Sequence, residues 1–231
     1  MTSAADVPVI VGAAPSRSIP DATVARLSIY LRAIDELDAC DVISSQALAA
    51  ASGVSSAKLR KDLSYLGSFG TRGVGYDVDA LRERIGAVLG VDDHRGVVIV
   101  GVGNLGHAIA GYSGLAARGF ELIGLFDVDH VGEVVGGVTV RPLEDLRAHP
   151  ERYAGAIGII ATPAHAAADA LDLLVEVGIS AVLNFATAVL DPPPGIDVRK
   201  VDLASELQIL SFRERRRAIP QALPAVSKEI P

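Results

Sequence analysis

Leu27, Tyr30, Leu31, Ile34 and Leu37 recur at the spacing of one helix face, which predicts an amphipathic helix opening at Ile19-Pro20-Asp21. A second, shorter helix begins at Ser44-Ser45, whose hydroxyls can cap the free amides of Gln46 to Ala49. Ser52-Gly53-Val54 reads as a tight turn, and Ser55 or Ser56 caps a third helix, Ala57 to Tyr65. Gly67, Gly70, Gly73 and Gly75 then predict a hairpin, with Tyr76 to Val78 as its return strand. Leu81, Ile85, Val88 and Leu89 predict a linking helix that stops at Gly90.

The period changes after His94. Val97 to Val100 is an unbroken β-branched run, as a strand covered on both faces requires. Gly101 to Gly106 turns into a helix over His107 to Ala117, and Phe120 to Phe126 supplies the next strand. Ala156 to Ala161, the helix Ala166 to Val177 and Ala181 to Phe185 continue the alternation, which predicts a parallel sheet with helices on its faces. A last helix, Ala204 to Arg217, carries Leu207, Ile209 and Leu210 and ends in Arg213, Arg215, Arg216 and Arg217. Residues 1–17, rich in Ala, Ser, Pro and Gly, are expected to form a mobile tail.

Composition narrows the class. Hydrophobic residues make up 50% of the 231, so the chain can bury a core, yet no apolar run is long enough to span a bilayer. No secretory leader is evident, which points to the cytoplasm. The single cysteine, Cys40, rules out an internal disulfide and a cysteine-built zinc site; it reads as a core thiol, and no metal is expected. The net charge of −7 speaks against nucleic acid, but its distribution does not. Acidic and basic residues balance over 17–85, and Lys58, Arg60, Lys61 and Arg72 outweigh Asp62 in the stretch they share.

Gly101-Val102-Gly103-Asn104-Leu105-Gly106 fits G-x-G-x-x-G, and its place between a strand and a helix makes the motif credible. Gly101 permits the turn, Gly103 lets a pyrophosphate approach, and Gly106 lets the helix pack on the strand. The helix start offers unpaired amides to phosphate. Asp127 lies 21 residues past Gly106, where an acid accepts the adenosine ribose hydroxyls and repels a 2′-phosphate; NAD(H) is therefore favoured over NADP(H). Thr162-Pro163 is placed near pyrophosphate and nicotinamide ribose, and Asn184-Phe185 near nicotinamide. His165 reads as a polar lining residue rather than a base. A glycine turn adapted to coenzyme A remains the other reading of this segment.

Helix, short helix, turn, helix and glycine hairpin compose the winged form of the helix-turn-helix, although small trihelical packing units share that outline. As a DNA reader, the third helix would bring Ser55, Ser56, Lys58, Arg60 and Lys61 to the major groove, and the hairpin would bring Arg72 and Tyr76 to the minor groove. A dehydrogenase would need an acid/base pair and a substrate domain, for which the second half has neither the residues nor the length.

Arg60-Lys61-Asp62-Leu63-Ser64-Tyr65-Leu66-Gly67 and Phe69-Gly70-Thr71-Arg72-Gly73-Val74-Gly75-Tyr76 resemble the signature of the Rex family of redox-sensing repressors. So do the Gly101–Gly106 motif, Gly119-Phe120, Phe126-Asp127-Val128-Asp129, Asn184-Phe185-Ala186 and Val201-Asp202-Leu203. The resemblance runs from Ile19 to Phe212, with departures at Leu66, His165-Ala166 and Thr187.

It implies an α/β protein with an N-terminal winged helix over 18–88 and a Rossmann-like doubly wound sheet over 89–203. A dimer-crossing helix and tail would occupy 204–231. It further implies a non-enzymatic homodimer on palindromic operator DNA, released by NADH while NAD competes. Tyr112, Asp202 and Arg26 are expected to meet across the dimer, with Leu203 near the nicotinamide.

Overall fold

Pro20, extended at φ −63° and ψ 141°, starts helix α1 (Asp21–Asp35) in the computed structural model, which describes residues 18–37, 41–67, 70–71 and 73–218. The 1–17 tail, Cys40, Phe69, Arg72 and the residues after Ala218 lie outside the described residues, as do the side chains of Asp92, Arg217 and Ala218. The chain divides into two units, Met1–His94 and Arg95–Pro231.

In the first unit, strand β1 (Val42–Ile43) precedes α2 (Ser45–Ala51) and α3 (Ser56–Leu63). Both helices are capped as their sequences suggest: Ser44 Oγ accepts from the Ala47 amide at 3.1 Å, and Ser55 Oγ from the Lys58 amide at 3.3 Å. A 3-10 turn, Ser64–Leu66, extends α3. Strand β2 (Tyr76–Asp77) pairs antiparallel with β1, so the return strand finds its partner ahead of α2 rather than inside the glycine hairpin. The Thr71–Gly75 bridge closes the tip of that hairpin. Gly75 is obligatory there, since at φ +128° an added Cβ would lie against the Ile43 carbonyl oxygen. Val78, expected in the strand, instead opens α4 (Val78–Leu89), capped by Asp77 and ended by Gly90 in the left-handed region. Leu27, Tyr30 and Ile34 of α1 pack with Leu48, Leu59, Leu63, Leu81 and Ile85 into one core.

The second unit opens with β3 (Arg95–Val100), α5 (Asn104–Ala110) and β4 (Phe120–Phe126). An edge hairpin, β5 (Val134–Val135) and β6 (Val138–Arg141), leads to α6 (Leu143–Ala148) and β7 (Ile157–Ile160). Then come α7 (Ala167–Glu176), β8 (Ala181–Asn184), β9 (Asp197–Lys200) and α8 (Leu203–Ala218). The strands lie in the order β5-β6-β4-β3-β7-β8-β9, parallel except for β5. Strand order reverses between β3 and β7, and a ligand crevice forms at their carboxyl ends.

Helix α5 begins earlier than the sequence suggests and stops at Ala110 instead of Ala117. Gly111 caps it. The sheet is packed on both faces. Val98, Val100, Phe126 and Ile160 meet Leu146, Leu171 and Leu174 on one side, while Val97, Ile99 and Leu125 meet Val102 and Ala110 on the other. Leu203, Leu207, Leu210 and Phe212 of α8 stand exposed. No helix among the described residues is long and apolar enough to cross a membrane.

Candidate functional site

The crevice at the strand reversal has a volume of about 670 Å³ and is lined by Gly101, Gly103, Asn104, Leu105, Asp127, Thr162 and Pro163 among others. Each glycine of the turn has its own reason. Gly101, at φ +96°, passes so near the Ala161–Thr162 backbone that a Cβ would come within 2.7 Å of it. A Cβ on Gly106 would strike the Gly101 carbonyl oxygen. Gly103 has nothing within 4 Å of that position, so its open side faces the space a pyrophosphate needs.

Asp127 ties this turn to the tip of β4. Its Oδ2 accepts the Val102 amide, and its Oδ1 accepts the Asp129 amide at 2.8 Å. His130 Nδ1 lies 3.3 Å from the same Oδ1. Burial alone pushes the carboxyl up, but these hydrogen bonds outweigh it and hold Asp127 below its ordinary value. An ionised acid therefore lies against the glycine turn, an arrangement suited to accepting ribose hydroxyls. Thr162 Oγ1 is buried without a hydrogen-bond partner among the described residues, which suits a polar ligand in the crevice. These features fit a dinucleotide.

In the first unit, α3 turns Leu59 and Leu63 inward and leaves Lys58, Arg60 and Lys61 exposed. Asp62, buried on the inner side, receives Arg26 Nε at 2.6 Å, Arg26 Nη2 at 2.7 Å, Tyr30 Oη at 2.7 Å and Thr23 Oγ1 at 3.1 Å. This cluster fastens α3 to α1 from behind its exposed basic face. Burial pushes Asp62 up, yet the donors from Arg26, Tyr30 and Thr23 bring it below its ordinary value.

Comparison with known proteins joins these two sites in one family. A family model described as a putative DNA-binding protein N-terminus matches residues 18–64, and one described as a CoA binding domain matches residues 92–188. The redox-sensing transcriptional repressor Rex of Streptomyces coelicolor is 53% identical over 211 residues, covering 90% of this chain and 82% of the relative. The chain belongs to the Rex family of redox-sensing transcriptional repressors.

Solved structures agree with that placement. RSP in complex with β-NAD+ and operator DNA superposes with a TM-score of 0.81 at 33% identity, over 88% of this chain and 95% of that one. RSP in complex with β-NADH gives 0.78 at 31% identity, over 88% and 97%. The expected fold class, an N-terminal DNA-binding domain followed by a Rossmann-like sheet, is thus borne out, as is a repressor rather than a dehydrogenase. The CoA model spans the glycine-turn half, whereas the Rex relatives run through both units.

The Rex crevice does not gather every expected residue. Val102 and Gly106 are buried behind the turn and act through their backbone. Asn184 lies outside the lining: its Oδ1 accepts the Ala186 amide at 2.9 Å and its Nδ2 donates to the Ala188 carbonyl at 3.3 Å, so it shapes its own loop. Phe185, also outside the lining, packs against the core on the α5 side of the sheet. Sequence reasoning missed Leu143, Arg147, Asp169 and Leu173, which reach the crevice from α6 and α7. Arg147 pairs there with Glu176 at 3.1 Å. No motif announces these helices, because only the sheet order brings them beside the glycine turn.

Among the proposed DNA contacts, Ser55 caps α3, Ser56 is half-buried, and Tyr76 lays its ring against Gly70 at the hairpin base. Arg26, expected in a dimer contact, is held within its own unit by Asp62. Tyr112 is exposed. Asp202 caps α8, accepting from the Ala204 and Ser205 amides and the Ser205 hydroxyl, and the Ser205 groups hold its carboxyl below the ordinary value.

Arg60→Ala or Lys61→Ala is expected to weaken operator binding by about 1–3 kcal/mol if the side chain reads a base edge. A phosphate contact would instead lower affinity for every sequence and flatten the salt dependence. Operator titrations at several salt concentrations separate the two, and parent-like binding by both variants would remove α3 as the reader.

Proposed function

We propose that two copies of this chain form a homodimeric repressor in the cytoplasm that grips palindromic operator DNA and releases it when NADH fills the crevices. The observation that carries the reading is Asp127, ionised and bound to the Val102 amide of the glycine turn. An acid in that position accepts a ribose diol and repels a 2′-phosphate, so the ligands are NADH and NAD. Gly101, Gly103, Asn104, Leu105, Thr162 and Pro163 complete the pocket for the adenosine and pyrophosphate. Asn184 and Phe185 lie outside the crevice lining and in this reading act on the nicotinamide end by shaping the loop after β8, with the partner's Leu203 beside the ring. A reduced nicotinamide is uncharged and suits an apolar pocket better than the cationic oxidised ring.

Ser55, Ser56, Lys58, Arg60 and Lys61 meet the major groove in this reading, with Arg72 and Tyr76 on the wing. Two recognition helices must sit roughly 34 Å apart to enter successive major grooves. NADH shifts that spacing only through tighter binding to the DNA-released state. Arg26, Tyr112 and Asp202 are the contacts through which one subunit senses the other.

Operator affinity measured with and without saturating NADH, at one salt concentration, tests the whole. Affinity should fall with NADH, and Asp127→Ala should bind operator normally while losing the response. Equal operator affinity in both conditions for the parent protein overturns the switch.

A further inference from the structure

Asp127 is more heavily engaged than a ribose-binding acid can remain. A carboxylate offers about four lone-pair positions. The Val102 amide, the Asp129 amide and His130 Nδ1 each take one. A ribose that donates both hydroxyls needs two positions, so one internal donor must yield. The amides are fixed by the turn and by the tip of β4. The imidazole makes the longest contact, 3.3 Å, and its side chain is 42% exposed against 11% for Asp127.

We propose that His130 is a specificity-determining residue of the crevice. It occupies the ribose-binding edge of Asp127 in the free chain, is displaced by the 2′-hydroxyl, and makes the preference for that hydroxyl over a 2′-phosphate depend on pH. The inference rests on the reading of the crevice as an NADH site.

Imidazole is the side chain whose charge changes near neutrality. An uncharged ring donates one hydrogen bond to Asp127, which a ribose replaces with little loss. An imidazolium forms an ion pair with the same carboxylate, which NADH must break, so NADH binding weakens as pH falls. A 2′-phosphate meets the opposite balance. Asp127 repels it, and a displaced imidazolium beside it offsets the repulsion.

The groups facing His130 come from two sides. Asp127 and Asp129 share its loop, and from α5 the His107 ring stands edge-on with centroids 6.4 Å apart. His107 is itself anchored, with Nδ1 3.0 Å from the Val102 carbonyl and Nε2 3.2 Å from Glu133. The second imidazole is thus tied into the glycine turn, and His130 is left to move.

The test is calorimetric titration of the full-length protein with NADH and with NADPH at pH 6 and pH 8, for the parent, His130→Gln and His130→Ala. The ratio of NADPH to NADH affinity should rise on acidification in the parent by roughly threefold more than in either variant, the scale of a partly exposed ion pair. The 2′-phosphate of free NADPH titrates in the same range, a contribution common to all three proteins that cancels in their comparison. His130→Gln keeps a neutral donor and should match the parent at pH 8. Equal pH dependence in parent and variants overturns the role of His130 while leaving the NADH site intact. Failure of the parent to bind NADH at either pH overturns the site itself.

Discussion

Asp62→Ala is expected to destabilise the first unit by about 3 kcal/mol and to weaken operator binding, although Asp62 is buried behind the exposed face of α3. The carboxylate is the common acceptor for Thr23, Arg26 and Tyr30, and its side chain is 3% exposed. Removing it leaves a guanidinium with 21% of its side chain exposed and a phenol that is fully buried, both without their acceptor. Partial access to water spares Arg26 some of the penalty, which places the effect at the lower end of the range for breaking a buried pair. With total domain stability of order 5–15 kcal/mol, such a loss removes roughly a fifth to more than half of it and loosens the hold of α1 on α3.

The same cluster sets a pH window with two edges. Asp62 titrates below its unfolded value, so its contribution is present above that value and is lost as acid protonates it. Tyr30 is pushed up to about 12 by burial and by its bond to Asp62. Its contribution is complete below the ordinary tyrosine value near 10 and is lost as pH rises toward 12. Denaturation of the first unit followed across pH should show both losses in the parent. Tyr30→Phe should erase only the alkaline one. A parent-like melting curve for Asp62→Ala would show that the cluster contributes nothing to holding α3.

Legibility in the sequence followed the strength of local signals. The Ser44 and Ser55 caps, the Gly90 stop and the strand Phe120–Phe126 stand where the residue pattern puts them, since each depends on chemistry within a few positions. Strands β1, β5, β6 and β9 were invisible. They are short, and β9, as Asp197-Val198-Arg199-Lys200, carries no apolar alternation; only pairing with a distant neighbour makes it a strand.

The site divides in the same manner. The glycine turn and Asp127 lie within one βαβ unit and could be read in order along the chain. Arg147 and Leu173 enter the crevice only because β7 lies beside β3. The Asp62 cluster needed the packing of α1 against α3, since Asp62 reads in sequence as one acid among exposed bases.

Gly106→Ala and Gly103→Ala should separate the structural from the ligand-binding use of one motif. An alanine at 106 drives its Cβ into the Gly101 carbonyl oxygen, and neither backbone can give way without moving α5 off the turn. Overpacking of this kind destabilises by about 1–3 kcal/mol, and the displaced turn takes the Val102 amide away from Asp127. The melting temperature of the second unit should drop, and NADH affinity should fall by more than about tenfold.

Alanine at 103 meets nothing within 4 Å, and φ there is −68°, open to any residue. The ligand-free protein should melt at or slightly above the parent temperature, because the unfolded chain loses freedom worth roughly 0.4–1 kcal/mol. Its methyl group stands in the space left for the pyrophosphate, so NADH affinity should fall about as far as in Gly106→Ala. Melting curves without ligand and titrations with NADH, taken on both variants, decide the matter. Tight NADH binding by Gly103→Ala would mean that the phosphates pass elsewhere, and the open side of the turn would then have no part in holding the cofactor.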